Sequence, residues 1–460
     1  MSVLCPVVIA LTNLIGSNER VPNHDSPLRI ARVARVSPVA KAKGAAAIRS
    51  GKGETVYVSH PMSRRRFLAL SAAGVSTVGL AACGSRSKGA SSIELQIASP
   101  AKPVKFALTS DNAAIKAGLS NEAGPLRIAN FADYVAPELL DKFKSETGVT
   151  VELSTFGDDV EALSKISTGA FKVDLLMSTA IDLLPKYVAL KLVQPLEKSY
   201  FTNYENLWDS VRDPFYDLGG QFSVPYTVFS TGIGFRSDLV AAPLEGDSGW
   251  DALWDPQYSG VAGLLDSYRE AMALGLQHAG IDNINTESQT DIDAGVAELR
   301  KMFEASNPRL DVLGYQSIPE GTTTINQLWS GDILAAQGYL PEGTDSSVLG
   351  YWVPPIAKRV INNDAMSIMR SAEHPVSAHA FINFMLNPEN AAINQAYIGY
   401  QSTLKGFEAE TLVAEGTIPD NLANALVTQD DFTKGLRILA LPAVADKMWQ
   451  DAWSSLRTGA

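Results

Sequence analysis

From Leu126 onward, short apolar runs alternate with amphipathic segments, and that rhythm narrows the fold more than any other feature. Leu126–Phe131 reads as a strand. Pro137 marks a helix start, and Glu138–Lys144 carries apolar residues at helical spacing. Thr147-Gly148 ends that helix, and Val149–Leu153 is the next strand. A second helix is expected over Val160–Thr168, and Val173–Ser178 reads as a buried strand. This order predicts mostly parallel sheets with helices on both faces. Ligands of such folds sit beyond the carboxyl ends of the strands, where loops and helix N-termini converge. Phe131–Tyr134 and Ser178-Thr179 occupy that position. Further helices are expected at Trp250–Asp255, closed by Pro256, at Asp291–Phe303 and at Pro375–Leu386. No internal repeat is present.

A different pattern precedes this region. Ser63-Arg64-Arg65-Arg66-Phe67-Leu68 leads into an apolar stretch that ends at Leu80-Ala81-Ala82-Cys83. A charged start, a short apolar segment and a small-residue exit are the layout of an export signal. The start resembles a twin-arginine signal and the end resembles a lipoprotein lipobox, in which the cysteine is acylated. The stretch falls short of the ~20 residues needed to span a bilayer. Residues 62–82 are therefore expected to be a signal peptide and residues 83–123 a lipid-anchored tether. Residues 1–61 are expected to be an artefact of start-site choice or a disordered extension, with translation beginning at Met62. The expected location is the outer face of the cytoplasmic membrane or the periplasm.

Charge and cysteine usage exclude several function classes. The chain has 38 Lys and Arg against 50 Asp and Glu. Before Cys83 lie 11 and 3 of these, which leaves 27 against 47, a net charge of −20. Such a surface does not suit nucleic acid and favours a cationic ligand. Cys5 and Cys83 are the only cysteines, so nothing beyond Cys83 can form a disulfide or a thiol nucleophile. There is no Gly-x-Ser-x-Gly elbow, phosphate-binding glycine loop or His-Glu-x-x-His. Gly246-Asp247-Ser248-Gly249 reads as a turn before the Trp250 helix. His374 and His379 are five residues apart and lack an evident third ligand, so no metal site is expected. Neither a cofactor nor an enzymatic activity is expected.

What remains is a set of carboxylates and aromatics at expected strand ends. Asp133 and Tyr134 follow the first strand, and Glu270 opens the helix after Leu264–Arg269. Tyr339 and Glu342 follow Ile333–Ala336, Asp364 precedes Ala365–Met369, and Tyr400 lies in Ile398–Gln401. Taken singly, each is an ordinary cap, turn residue or surface charge.

As an ordered series the chain resembles the spermidine/putrescine-binding proteins of ABC importers, from about Leu126 to Gly459. The marks are Asn130-Phe131-Ala132-Asp133-Tyr134 with Pro137, Glu146-Thr147-Gly148-Val149, and Val173–Thr179. Val224-Pro225-Tyr226, Thr231–Gly234, Trp250 with Leu253–Pro256, Arg269-Glu270 and Trp453–Gly459 follow. The resemblance implies an α/β, two-lobed type II solute-binding fold with a central ligand cleft. The lobes expected from it are 124–228 with 365–408, and 229–364 with 409–460. It also implies ligand contacts at Phe131, Asp133, Tyr134, Ser178, Thr179, Glu270, Tyr339, Glu342, Asp364 and Tyr400. Tyr339 is matched to a tryptophan of the family, and Asp364 to the carboxylate that grips a terminal ammonium. Ala132, Ala180, Ser267 and Asn362 depart from the family pattern, which thins the aromatic walls. The implied function is capture of a polyamine and its delivery to an ABC permease, by a monomer tethered to the membrane. The alternatives are a different small solute on the same fold, or an extracellular glycosidase using a carboxylate pair among Asp133, Glu270 and Asp364.

Overall fold

The computed structural model describes residues 95–240, 244 and 246–459. The export signal, Cys83 and the N-terminal extension lie outside the described residues.

Strand β1 (Leu126–Phe131) opens the sheet. Leu126 and Ile128 enter one hydrophobic cluster and Ala129 another, so the strand is covered on both faces. Pro137 then starts α1 (Pro137–Thr147), where its missing N–H is no loss. Gly148, at φ 77°, ends the helix, and its N–H reaches Lys144 O at 2.8 Å. Strand β2 (Val151–Phe156) follows, then α2 (Asp159–Ser167), capped by the Asp158 carboxylate on Glu161 N–H. Strand β3 (Leu175–Ala180) and α3 (Leu184–Ala189) complete this first wing.

Strand β4 (Val224–Arg236) is the long one, and its first eleven residues are buried. Beyond it come β5 (Ala262–Leu265), α4 (Tyr268–His278), α5 (Gln289–Ala305) and β6 (Arg309–Asp311). Helices α4 and α5 touch closely at Gly275, where a Cβ would lie 2.6 Å from Gly295 O. Then follow β7 (Ile325–Trp329), α6 (Ser330–Ala336), β8 (Leu349–Trp352) and β9 (Val360–Ile368), the last buried throughout. Ile333–Ala336, expected to lead a strand end, lies inside α6 because the preceding strand stops at Trp329. Helices α7 (Pro375–Met385) and α8 (Pro388–Ile398), strand β10 (Gln401–Ser402) and α9 (Ala443–Thr458) close the chain.

The strands form one sheet in the order β2-β1-β3-β9-β4-β7-β5-β6, with β8 and β10 also paired to β4. Pairing is parallel in both wings, β2-β1-β3 and β7-β5-β6. It is antiparallel around the two strands between them, β9 and β4. The register shows where the wings meet. Strand β3 pairs with β9 only from Asp364 to Ile368, and β7 pairs with β4 only from Thr231 to Phe235. Val228–Ser230 and Ile361–Asn363 therefore pair only with each other along the central path and bridge the two wings. Helix α9 packs on α4 and α5, in the second wing.

The segment 95–123, expected as part of a loose tether, is docked on the first wing. Val104 and Leu218 exchange backbone hydrogen-bonding groups with Phe215 and Val104 at 2.8 Å each. Phe106 meets Phe222 edge-on at 5.8 Å, and Asn112 Nδ2 donates to Val193 O at 2.9 Å. The Glu122 carboxylate accepts from Val376 N–H, Ser377 N–H and the Ser377 hydroxyl, at the positive end of α7.

Candidate functional site

The carboxyl ends of the parallel strands in both wings carry acids. Asp133 follows β1, Asp159 follows β2 and Asp182 follows β3. Glu270 lies in the first turn after β5, and Asp332 in the first turn after β7. Asp364 lies on β9, at the residue where pairing with β3 ends. A doubly wound sheet places its ligand at this kind of switch point, since connections diverge there and leave a crevice.

Asp364 is only 8 % exposed. Tyr134 Oη donates to its Oδ2 at 2.8 Å, and Thr227 Oγ1 lies 2.7 Å from the same tyrosine oxygen. Tyr134 has one proton, so when it serves an ionised Asp364 the threonine hydroxyl must donate to it. Burial pushes the Asp364 carboxyl up to about 6; the tyrosine bond opposes this, and repulsion from Asp182 adds to it. Glu270 is also buried. Its Oε2 accepts from Thr231 Oγ1 and its Oε1 from Trp329 Nε1, both at 3.0 Å. Burial raises its pKa, against those two hydrogen bonds. Thr231 and Trp329 are cross-strand partners in β4 and β7, so the sheet register itself aims both donors at Glu270.

Asp159 and Asp182 were not expected from the sequence. Burial and then repulsion from Asp364 and Asp182 push Asp159 well up, although its partial exposure lets solvent temper the effect. Asp182 is raised by burial, against the charges of Arg269 and Lys186. Arg269 Nη1 lies 4.0 Å from Asp182 Oδ2, and the guanidinium is held by Leu439 O and Asn285 Oδ1 at 2.7 Å each. Asp159, Asp182, Glu270 and Asp364 thus interact electrostatically, with one fixed guanidinium beside them. Among the described residues, no group of three or more His, Cys, Asp or Glu is placed to hold a metal ion.

The aromatic residues form two groups. Tyr134 is the hub of the first, edge-on to Phe131 at 6.1 Å, Tyr226 at 5.6 Å and Tyr400 at 4.8 Å. Tyr400 Oη donates to Asp332 Oδ1 at 2.9 Å, while the buried Oδ2 of Asp332 has no hydrogen-bond partner among the described residues. Burial pushes Asp332 up to about 7. The second group surrounds Asp133, which is exposed and left-handed at φ 55°, a conformation that aspartate tolerates better than most residues. Tyr397 and Tyr339 hydroxyls donate to its two oxygens at 3.3 and 3.4 Å, and Tyr315 also hydrogen-bonds to it.

The expected residues therefore divide. Phe131, Tyr134, Glu270, Asp364 and Tyr400 come together around the wing junction. Ser178 and Thr179 lie near the carboxyl end of β3, with buried hydroxyls that lack a partner among the described residues. Tyr339 is at Asp133, and the tryptophan at the junction is Trp329. Glu342 is exposed and makes no hydrogen bond or ion pair among the described residues. A recess of about 400 Å³ lies apart from the Glu270 and Asp364 carboxylates, around Lys186 and Asp446.

Comparison with known proteins agrees with this geometry. Residues 138–419 match the family described as bacterial extracellular solute-binding protein. The spermidine/putrescine-binding periplasmic protein of Escherichia coli K12 is 28 % identical over 295 residues, 62 % of this chain and 79 % of that protein. A solved spermidine/putrescine ABC transporter substrate-binding protein of Streptococcus pneumoniae is 27 % identical, with a TM-score of 0.57, over 73 % of this chain and 98 % of its own. A putative spermidine/putrescine ABC transporter protein of Listeria monocytogenes shares the fold at a TM-score of 0.64 and 24 % identity, over 74 % of this chain and all of its own. The two parallel wings, their antiparallel junction and the family match together identify the chain as a member of the bacterial extracellular solute-binding proteins, with the type II fold.

Proposed function

We propose that this protein is a non-enzymatic receptor that captures a polyamine outside the cytoplasm and delivers it to an ABC importer. The observation that carries the reading is the pair of buried carboxylates, Glu270 and Asp364, on either side of the wing junction, with Asp182 electrostatically coupled to both. Their hydrogen-bond donors are neutral hydroxyls and one indole, so ionised carboxylates here call for a cationic ligand. A polyamine supplies ammonium groups separated by methylenes. Each ammonium–carboxylate bond contributes about 1.5–3 kcal/mol and each buried methylene about 0.8 kcal/mol. Association costs offset much of that sum. Micromolar affinity needs about 8 kcal/mol net, so several acids must act together. The names of the relatives support the same ligand class.

Isothermal titration with putrescine and spermidine, beside amino acids and sugars, tests the reading. Glu270→Gln and Asp364→Asn are each expected to weaken polyamine binding by at least about tenfold, the loss of one charge-assisted bond. Unchanged titrations in both variants would remove these carboxylates from the site. Binding of another solute class alone would keep the fold and change the ligand.

We further infer export by the twin-arginine segment and lipid attachment at Cys83, supported by the sequence pattern alone. Membrane fractionation of a Cys83→Ser variant checks this. The variant is expected in the soluble fraction, and unchanged membrane retention would refute the anchor.

A further inference from the structure

Helix α4 opens on three consecutive residues, and each serves a different acid. Tyr268 Oη donates to Asp446 Oδ1 at 2.6 Å. Arg269 Nη1 lies 4.0 Å from Asp182 Oδ2. Glu270 brings its own carboxylate, and Asp182 lies near enough to repel both it and Asp364. One helical turn therefore ties Asp446 and Asp182 to the acids of the wing junction. Lys186, four residues after Asp182, enters the same group from α3. Its Nζ lies 2.8 Å from Asp446 Oδ2, with the two side chains only 17 % and 12 % exposed, and its charge also acts on Asp182.

The charges in this group are matched unevenly. Arg269 and Lys186 answer Asp182 and Asp446, whereas the hydrogen bonds to Glu270 and Asp364 come from neutral donors. Asp159 is partly exposed, where solvent answers its charge. Arg269 is fixed in place by Leu439 O and Asn285 Oδ1, and it lies over the Trp449 ring at 4.7 Å. Lys186 carries a primary ammonium on a methylene chain, the same chemical group as the end of a polyamine. It lines the recess of about 400 Å³ together with Ala189, Leu190, Ala443 and Gln450. We propose that Lys186 is a specificity residue, whose ammonium takes the Asp446 end of this acid group and so makes the receptor select a diamine over a triamine. Glu270 and Asp364, which lack a cationic partner, take the two ammonium groups of a diamine. A third ammonium would have to share an acid already held and would meet the Lys186 charge there, a repulsive element directed against the longer ligand. With a neutral residue at 186, Asp446 keeps its donors Tyr268 and Gln450, the latter at 3.0 Å, but loses its counter-charge beside that recess. This selectivity rests on the receptor reading above.

Isothermal titration of the full chain with putrescine and spermidine, at one ionic strength, tests the proposal through the ratio of the two Kd values. The parent is expected to favour putrescine. Lys186→Met is expected to shift the ratio toward spermidine by about tenfold, the gain of one charge-assisted bond. Lys186→Arg keeps the positive charge and is expected to keep the parent ratio. Adding Asp446→Asn to Lys186→Met removes the acid that a third ammonium would take, keeps an acceptor for Tyr268, and is expected to return the ratio to that of the parent. Circular dichroism and Tm verify that each variant folds. Where Lys186→Met does not fold, Lys186→Gln, which still offers Asp446 a hydrogen bond, makes the same test. A purely structural role for Lys186 would weaken both ligands alike and leave the ratio unmoved, which would overturn the proposal. So would a parent that favours spermidine. Both of these results leave the receptor reading standing, whereas a parent that binds neither amine refutes that reading and the selectivity with it.

Discussion

Asp332 shows how much one side chain reveals at the residue scale. One carboxylate oxygen takes the Tyr400 hydroxyl, and the other is buried without a partner among the described residues. Burial pushes the group from 3.8 to about 7, so the folded protein holds this proton more tightly than the unfolded chain. A carboxyl raised in this way favours folding below its unfolded value, and that advantage is lost as pH rises from about 4 to about 7. Asp332→Asn removes the titration and keeps an acceptor for Tyr400. The variant is expected to match the parent at pH 4 and to exceed it by up to ~4 kcal/mol at pH 8, in urea unfolding. A variant less stable than the parent at pH 8 would show that ionised Asp332 has a partner in solution. Residue identity alone could not reveal this group, because an aspartate in the first turn of a helix is ordinarily a surface complement to the dipole.

The elements explain which parts of the site were legible. The first strand, Leu126–Phe131, has the bounds expected from its apolar run, and Pro137 and Gly148 mark the helix that follows. Asp133, Tyr134, Glu270, Asp364 and Tyr400 stand beside such clear elements, and Tyr134, Glu270, Asp364 and Tyr400 meet at the junction. Trp329 was hidden because its strand, Ile325–Trp329, contains Asn326 and Gln327, both buried, which break the apolar pattern of a core strand. Without that strand, Tyr339 was matched to the tryptophan, and it stands instead at Asp133. Asp159 and Asp182 precede or open short helices, where acids are common for reasons of capping alone. The junction of α6 with the Tyr400 loop is the tightest contact between elements of this site. A Cβ on Gly331 would lie 2.2 Å from the Tyr400 ring, and one on Gly399 would lie 2.3 Å from Gly331 O. Gly331→Ala is therefore expected to displace Tyr400 and break its bond to Asp332. A loss of ~1–3 kcal/mol in unfolding free energy should accompany weaker ligand binding. Full stability and unchanged binding would mean that α6 shifts freely against that loop.

At the scale of the whole molecule, the buried acids couple ligand, proton and stability. Asp364 is raised to about 6, and Asp182, Asp159 and Glu270 are raised in the same direction, with burial first in every case. Free protein therefore prefers to keep protons on these groups, and it loses stability as pH rises through the values at which they ionise. A polyamine needs the same carboxylates ionised, while its own amines stay charged across that range. The two tendencies oppose each other: alkaline conditions weaken the free fold and strengthen the complex. Between pH 7 and pH 5, a carboxyl at about 6 passes from mostly ionised to mostly protonated, which weakens binding by about tenfold if one such group must release its proton. Saturating ligand adds about 2.7 kcal/mol at a hundredfold excess over Kd. The difference in Tm with and without putrescine is thus expected to widen from pH 5 to pH 8, chiefly because the free protein melts earlier while the complex holds. Thermal unfolding at those two values, at one ionic strength, measures it. A difference that is constant or that narrows with pH would show that the ligand does not bind through the buried acids, whatever its affinity.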